Sequence, residues 1–324
     1  MNKTRSTWQL IHKSLQQHIP VMLLYVLESI GSSPGRQGFF MAVNAAGDME
    51  GSIGGGIMEH KLTEMARVQL REDKLTLSLR RQVHDKSAAA NQSGMICSGE
   101  QTILLYRLRP GEAALVQHII DSLQRCQGGT LQLSPEGLAF TAGEIPDADY
   151  VFTKRSEQDW LYRERTGYKN QLFIIGGGHC SLALSQIMRT MDFYIRVYDT
   201  RPQLPSFTQN EFAHERITIT DYSDLAGLIP SNAYYHYVVI MTLGYRTDDT
   251  ALRSLPGKAF KYLGLLGSKT KNAQLLAACA AEGIDPAWLD SIHSPIGLAI
   301  HSRTPEEIAV SIAAEIIQVK NGRS

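Results

Sequence analysis

The sequence predicts an α/β protein with two domains, a mixed α/β domain over residues 1–166 and a second domain over 167–324 built on a parallel sheet. Three observations support this prediction. The chain has 324 residues, more than the ~250–300 residues at which a single hydrophobic core stops growing. Its second half contains continuous apolar runs of strand length, which are typical of parallel strands covered on both faces. Helical apolar periods separate these runs, as they do in βαβ units.

The first half changes repeatedly between helical and strand periods, and short turn sequences separate the segments. The pattern predicts, in chain order, a helix that ends at Pro20, a strand over 20–30, a hairpin around Ala45–Asp48, a helix over 57–70, strands over 74–83 and 100–108, a helix from Pro110, and two or three short strands in 130–164. Residues 85–99 show no period, so they predict a loop.

The second half opens with a strand over 171–175, a glycine turn, a helix over 181–191 and a strand over 193–199 that ends in an acidic residue. This βαβ unit predicts a Rossmann-like, doubly wound domain. The following runs predict strands over 236–243 and 260–267, helices over 246–254 and 269–281, and a last helix with Thr304, Pro305 and Glu307 as its capping-box signature.

Composition excludes several function classes. The 32 Lys and Arg balance 32 Asp and Glu, which argues against a general nucleic-acid-binding protein. No run approaches the ~18 apolar residues of a membrane span, and the N-terminus lacks the apolar core of a signal peptide, so we expect a cytoplasmic protein without a membrane partner. The cysteines form no C-x-x-C pair, so neither a disulfide framework nor a structural metal site is expected.

The glycine turn of the second half has the context of a dinucleotide-binding fingerprint. Gly176 and Gly178 follow a strand and open a helix, and Asp199 follows at about 20 residues, as this fingerprint requires. Asp199 is therefore predicted to bond a ribose hydroxyl, while Arg201 would suit a 2′-phosphate. The ring of His179 would point at the bound ligand or cap the helix. A Rossmann-like fold that binds no dinucleotide is the alternative.

A second glycine run precedes the predicted helix over 57–70. Gly54, Gly55 and Gly56 allow backbone N–H groups to converge into an anion nest at the start of that helix. A phosphate or a pyranopterin-like ligand would fit there, with Ser52 as a further contact. The alternative is a turn that only needs glycine for positive φ angles.

Cys97 lies where the predicted loop meets a strand, next to Ser98 and Gly99. One interpretation is a buried structural thiol, since free cysteine is among the most buried residue types. The other is an exposed thiolate that holds a soft metal or a sulfur atom.

Eight motifs occur in order along the chain: Gly31–Gly35, Gly51–Gly56 with Glu59, Cys97–Glu100, Gly176–His179, Met241–Thr242, Gly264–Lys269, His293–Leu298 and Thr304–Ala309. Together they closely resemble the XdhC/CoxI family of xanthine dehydrogenase accessory factors over about residues 20–320. The resemblance implies an N-terminal family domain followed by a Rossmann domain.

The same resemblance implies a carrier of the molybdenum cofactor in its molybdopterin form, a cofactor-delivery chaperone more than a catalyst. Such a protein would assist sulfuration of the cofactor with a cysteine desulfurase and deliver it to an apo molybdenum hydroxylase of the xanthine dehydrogenase type. It would work as a homodimer. Glu59 and Cys97 would then belong to the cofactor-binding residues, with Cys97 as the metal ligand.

The sequence departs from the family pattern at three places. Ser98 replaces the first glycine after the cysteine, Ser181 replaces the last glycine of the turn, and no histidine follows Met241-Thr242 closely. The alternative function is an NAD(P)-dependent oxidoreductase that uses the Rossmann domain for NAD(P) or another nucleotide. The first half offers no clear proton-transfer pair for a hydride step.

Overall fold

The chain divides into two units, Met1–Gly167 and Tyr168–Ser324. The computed structural model describes residues 2–72, 77–83, 99–144, 146 and 148–322. The fold is mixed α/β, with antiparallel sheets in the N-terminal unit and a parallel sheet in the C-terminal unit.

The N-terminal unit combines helices with antiparallel strands. Its described helices and strands are, in chain order, α1 (Asn2–Gln16), β1 (Val21–Gly31), β2 (Phe40–Asn44), β3 (Met49–Gly51), α2 (Gly56–Arg71), β4 (Leu77–Val83), β5 (Gly99–Arg107), α3 (Ala113–Gln124), β6 (Gly129–Ser134), β7 (Gly137–Ala142), β8 (Tyr150–Lys154) and β9 (Trp160–Thr166). A short 3-10 turn, Pro110–Glu112, precedes α3.

The first sheet has the strand order β3-β2-β1-β5-β4. Successive side chains of a strand point to opposite faces of the sheet. The central strand β1 is buried on both faces over most of its length. Leu23 and Tyr25 join a core with residues of α1 and α3, whereas Leu24 and Val26 join a core with residues of α2. The predicted hairpin is confirmed as β2 and β3, with Val43 opposite Met49.

The second sheet has the order β7-β6-β9-β8. The sequence predicted two or three strands in this stretch, and the structure has four. Most of β8 is exposed, so an apolar alternation that would reveal this strand is absent from its sequence.

Tyr25 and Glu164 join the two sheets of this unit. The hydroxyls of Tyr25 and Tyr162 donate to the same Oε2 of Glu164, at 2.5 and 2.8 Å. Burial, reinforced by the neighbouring carboxylate, raises the pKa of both tyrosines, so both remain neutral donors. The bonds hold β1 of the first sheet against β9 of the second.

The C-terminal unit alternates strands and helices. Its helices and strands are, in chain order, β10 (Asn170–Ile175), α4 (His179–Met188), β11 (Phe193–Asp199), α5 (Pro205–Thr208), β12 (Glu215–Thr218), α6 (Leu225–Leu228), β13 (Asn232–Ile240), α7 (Tyr245–Arg253), β14 (Phe260–Leu265), α8 (Lys269–Ala281), α9 (Pro286–Asp290) and α10 (Pro305–Asn321).

All strands of this unit are parallel, in the order β12-β11-β10-β13-β14. Leu172 and Ile174 of the central strand face a core with residues of α4 and α10, and Phe173 and Ile175 face a core with residues of α7 and α8. The predicted doubly wound, Rossmann-like domain is therefore confirmed. Its topological switch point lies between β10 and β13, where open α/β sheets bind ligands.

The sequence predicts the capping box of α10 but not the strand β12. The capping box is confirmed, because Thr304 Oγ1 accepts the N–H of Glu307 and Glu307 Oε2 accepts the N–H of Thr304, both at 3.2 Å. Strand β12 was not predicted. It has only four residues at the sheet edge and a half-exposed pattern, which is too short for a periodic signal.

Candidate functional site

The glycine run of the N-terminal unit forms an anion nest between β3 and α2. The backbone N–H groups of Ile53 and Gly55 donate to Oε2 of Glu59 at 2.9 and 3.0 Å. Ser52 Oγ donates to the same oxygen at 2.7 Å and accepts the N–H of Gly54 at 3.1 Å. The occupant is thus a carboxylate of the chain itself. Glu59, which the family resemblance placed among cofactor ligands, holds the position predicted for a phosphate.

Three loops of this unit meet beside the nest. A Cβ on Gly35 would lie 2.0 Å from the carbonyl oxygen of Ile53, and a Cβ on Gly99 would lie 2.6 Å from the carbonyl carbon of Ser32. Only glycine allows backbones to approach so closely. The motifs Gly31–Gly35 and Gly51–Gly56 and the start of β5 therefore pack directly against one another.

Gln101 joins strand β5 to the loop that contains Gly35, and it was not among the residues predicted from the sequence. The side chain is 1% exposed, and its Nε2 donates to the carbonyl oxygen of Gly35 at 2.7 Å. It shares a strand face with the buried Ile103. An amide at an inward position of a strand is the signal that would have revealed it, because buried polar groups need partners.

Gly56 begins α2 with a φ of 71°, next to Gly55 at 74°. Both angles lie in the left-handed region that favours glycine. The N-cap residue Gly55 has no side chain that could cap this helix start, so the carboxylate of Glu59 accepts the free N–H groups instead. The glycine run therefore supplies both the positive φ angles that the turn needs and the N–H groups that form the nest.

Cys97 and Ser98 lie outside the described residues, so the prediction that Cys97 is a metal ligand stays a prediction. In sequence it precedes Gly99 by two residues. Within the described part of the chain, no three His, Cys, Asp or Glu side chains come together as a metal site.

The glycine turn of the C-terminal unit lies at the switch point of the parallel sheet. Gly176 has a φ of 109°, and a Cβ there would lie 2.3 Å from the carbonyl oxygen of Met241. The loops that follow β10 and β13 are therefore in backbone contact, and glycine is required at this position.

The carboxylate of Asp199 is buried and hydrogen-bonded within the chain. One carboxylate oxygen accepts the N–H of Gly177 at 2.7 Å and Nη2 of Arg201 at 2.8 Å, and the other accepts the backbone N–H and Nε of Arg201 at 2.8 and 2.9 Å. The residue is 0% exposed. Burial raises the pKa of Asp199, but the bonds from Arg201 and Gly177 outweigh burial and leave this pKa below its usual value. The carboxylate that the sequence assigned to a ribose is a buried anchor of the turn.

The helix α5 covers the same turn. Ser206 Oγ donates to the carbonyl oxygen of Gly177 at 2.7 Å, and a Cβ on Gly177 would lie 2.7 Å from Cδ2 of Phe207. Phe207 is 3% exposed and belongs to the core beneath α4. Burial of such a side chain stabilises the fold by about 1.5–3 kcal/mol, so α5 is firmly held against the turn.

The opposite side of the turn is open. A Cβ on Gly178 would meet nothing within 4 Å, and His179 is exposed as the first residue of α4. Ser181, which replaces the last glycine of the fingerprint, is 0% exposed, and its hydroxyl has no partner among the described residues. The helix start thus remains accessible at Gly178 and His179, while the side toward Asp199 is closed.

A buried ion pair follows Met241-Thr242, where the family pattern has a histidine. Asp248 is 1% exposed and accepts the backbone N–H of Thr242 at 3.0 Å, its hydroxyl at 2.6 Å, and Nζ of Lys271 at 2.5 Å. These bonds tie the loop after β13 to the start of α8. Leu243 next to them is 77% exposed.

Glu315 anchors the segment that contains His293. Its carboxylate lies 3.1 Å from Nδ1 of His293 and accepts the hydroxyl of Tyr262 at 2.5 Å and the N–H of Gly297 at 2.8 Å. His293 therefore has a structural environment between β14 and α10.

Comparison with known proteins links both units to one group. Residues 172–316 match the family model described as XdhC Rossmann domain, and residues 14–80 match the model described as XdhC and CoxI family. No described helix has the length and apolar character that a bilayer crossing requires.

Two relatives align along almost the whole chain. The Escherichia coli K12 protein YqeB, described as uncharacterized, is 26% identical over 94% of this chain, which spans 44% of YqeB. A Bacillus subtilis 168 protein, described as a probable xanthine dehydrogenase subunit, is 25% identical over 94% of this chain and 95% of its own length.

A crystal structure from Bacillus halodurans, described as a xanthine dehydrogenase, has the same fold. The TM-score is 0.71 at 23% identity, with 98% of this chain and 97% of that chain covered. The likeness extends through both units, so the α/β architecture predicted from the sequence is shared by a solved protein.

Proposed function

The chain belongs to the XdhC/CoxI family, and we propose that it is an accessory protein of a xanthine dehydrogenase-type molybdenum hydroxylase. It binds the molybdenum cofactor in its molybdopterin form, assists sulfuration and delivers the cofactor to the apo-enzyme. The observation that carries the proposal is the match of both family models in the expected order, one in each unit. The name of the Bacillus subtilis relative supports the connection to xanthine dehydrogenase.

The anion nest of the N-terminal unit fits the phosphate of such a cofactor. Ile53 and Gly55 already hold an anionic oxygen with two backbone N–H groups at 2.9 and 3.0 Å, which is the donor set that phosphate-binding nests use. In this proposal the incoming phosphate replaces the carboxylate of Glu59. The glycines need no rearrangement, because their angles are set by the turn itself.

Cys97 is the thiol that the proposal places at the metal. A soft thiolate suits molybdenum–sulfur chemistry, and Cys97 directly precedes β5, whose start at Gly99 contacts the loop at Ser32. When bound, the cofactor supplies the molybdenum at which an oxo ligand is exchanged for a sulfido ligand. In this scheme a cysteine desulfurase would donate the sulfur as a persulfide, a thiol reductant would supply the two electrons that bring it to the sulfide level, and the oxo ligand would leave as water. Two copies of the chain form the working dimer.

The bonds of Asp199 do not favour the alternative of an NAD(P)-dependent oxidoreductase. That function requires a ribose contact for which Asp199 was the candidate. All the bonds of its carboxylate described above are made to the chain itself.

Retention of the cofactor tests the proposal. The full-length protein is incubated with freshly released molybdenum cofactor and desalted, and molybdenum and pterin are measured per chain. We expect near-stoichiometric retention by the wild type and a loss of about tenfold or more in affinity for Cys97→Ser, because a serine hydroxyl is a poor ligand for a soft metal.

Cys126→Ser is the matched control, since Cys126 lies just after α3, which ends at Gln124, and retention should be unchanged. If Cys97→Ser retains the cofactor and activates the hydroxylase as the wild type does, Cys97 has no part in binding. If the wild type retains neither molybdenum nor pterin, the proposed function is wrong.

A further inference from the structure

The chain itself fills the position where a dinucleotide-binding Rossmann domain holds a ribose. In such domains the acidic residue after the second strand bonds the ribose hydroxyls, and the pyrophosphate lies at the helix start. We propose that the C-terminal unit excludes nucleoside diphosphates and dinucleotides, and that residues 201–207, the ribose-site plug, cause the exclusion. This inference goes beyond the proposed function and does not depend on the molybdenum cofactor.

The carboxylate of Asp199 has no free acceptor position for a ribose hydroxyl. A carboxylate offers about four lone-pair positions, and Asp199 already receives the backbone N–H of Gly177 and three N–H groups of Arg201, all between 2.7 and 2.9 Å. A ribose hydroxyl would have to displace one of these charge-assisted bonds, which are stronger than a bond to a neutral hydroxyl. The adenosine half of a dinucleotide therefore loses its usual anchor.

The position that a ribose would occupy beside the glycine turn has no room for it. Asp199 is 0% and Phe207 3% exposed, and the ring of Phe207 lies so close to Gly177 that even a methyl group on this glycine would contact it at 2.7 Å. Ser206 bonds the carbonyl oxygen of the same glycine. The gap between the turn and the end of β11 is filled with packed protein atoms.

The ribose-site plug is held in place near both of its ends. Arg201 fixes its beginning to Asp199. Just beyond its end, Asn210 is 0% exposed, its Nδ2 donates to Ser185 Oγ of α4 at 2.9 Å, and its carbonyl oxygen accepts Nη1 of Arg216 at 2.7 Å. Removing the plug from the turn would break bonds on both sides and expose Phe207, so the closure is a property of the folded domain.

The exclusion is measured at the turn itself by hydrogen–deuterium exchange of the full-length protein. NADH, NADPH and ADP-ribose are each added at millimolar concentration. We expect unchanged exchange in peptides covering 172–182 and 196–210, since no nucleotide reaches them. Slower exchange in both peptides with any of the three ligands would overturn the proposal, wherever else on the protein a nucleotide binds.

A second experiment assigns the exclusion to the plug. The double variant Arg201→Ala, Phe207→Ala removes the two side-chain bonds to the carboxylate of Asp199, leaves its two backbone bonds, and removes the ring over Gly177. We expect titration calorimetry to show binding of ADP-ribose to this variant at least about tenfold tighter than the detection limit at which the wild type shows none.

An unchanged titration in a variant with the circular dichroism spectrum of the wild type would overturn the assignment to these residues. Arg201→Ala alone gives the same comparison if the double variant does not fold, because the side chain of Arg201 is 35% exposed. In that single variant the gain in affinity is expected to be smaller but still measurable, and its absence counts against the plug.

Discussion

The two glycine turns of this protein solve one problem in two ways. Each collects backbone N–H groups that need an anionic partner, and each receives a carboxylate of its own chain. In the N-terminal unit Glu59 serves Ile53 and Gly55, and in the C-terminal unit Asp199 serves Gly177. A glycine-rich turn at a helix start therefore indicates an anion-binding backbone without indicating a free one.

The two carboxylates differ in how easily a ligand would replace them. Glu59 lies on the first turn of the helix that it caps and is partly exposed, and among the described residues no lysine or arginine lies within ion-pair distance of it. Asp199 is buried and paired with Arg201, under Phe207. The N-terminal turn therefore holds the carboxylate that is more easily replaced, and the carboxylate of the C-terminal turn is part of the packed structure.

The largest expected effect is the loss of the buried pair. Asp199→Ala leaves the N–H of Gly177 without its acceptor and releases Arg201, whose side chain is 35% exposed and can be solvated. We expect a loss of about 2–3 kcal/mol, because hydrogen bonds to a charged group contribute about 1.5–3 kcal/mol. Denaturant unfolding, followed by hydrogen exchange in peptides of β10 and β11, measures the loss in the C-terminal unit. Asp290→Ala, an exposed residue at the end of α9, should stay within about 0.5 kcal/mol of the wild type. A loss below about 1 kcal/mol for Asp199→Ala would contradict the structural role.

Contact between the plug and the turn gives the next effect. Gly177→Ala adds a methyl group 2.7 Å from Phe207, and overpacking of this kind costs about 1–3 kcal/mol. Gly178→Ala is the matched control, because its Cβ would meet nothing within 4 Å and its φ of −71° suits any residue. Equal thermal unfolding temperatures for the two variants would mean that α5 does not press on the turn in solution.

The same contrast shows what the sequence could predict. The strand–turn–helix order and the acidic end of β11 follow from periodicity and spacing, and both are present in the structure. The plug could not be predicted, since α5 has only four residues and no helical period. The bonds of Asp199 depend on the distance between two loops, which the spacing along the chain does not give.

In the N-terminal unit the position of Glu59 could have been read as a cap. It lies four residues after Gly55, in the first turn of α2, where a carboxylate is favoured by the helix dipole and by unpaired N–H groups. Gln101 needed tertiary information, because its partner Gly35 is remote in sequence. Local signals thus predict the turn and its cap, whereas the packing of three loops emerges only in the fold.

Removal of Glu59, which caps the start of α2, should lower the stability less than removal of Asp199 from its pair with Arg201. Glu59→Ala removes the acceptor of Ile53 and Gly55, and loss of a helix cap costs about 1 kcal/mol. Inorganic phosphate should then raise the unfolding temperature of Glu59→Ala more than that of the wild type, because the nest is vacated. Glu64→Ala on the same helix, whose exposed pair with Arg67 contributes little, is the control. If phosphate stabilises wild type and Glu59→Ala equally, the nest is not the anion site.

Acid pH gives the smallest effect and separates charge from shape at Asp199. In the folded chain the pKa of Asp199 lies below the ordinary 3.8, so the unfolded chain takes up the proton first as the pH falls. The charged pair therefore contributes its full stability above pH 3.8 and loses it as the pH falls through the lowered pKa. Asp199→Asn keeps the shape and removes the charge, so the difference in unfolding free energy between wild type and variant should be nearly constant well above pH 3.8 and should shrink as the pH falls below this value toward pH 3. Urea unfolding across this range measures the difference. A constant difference down to pH 3 would show that the charge on Asp199 does not hold the turn.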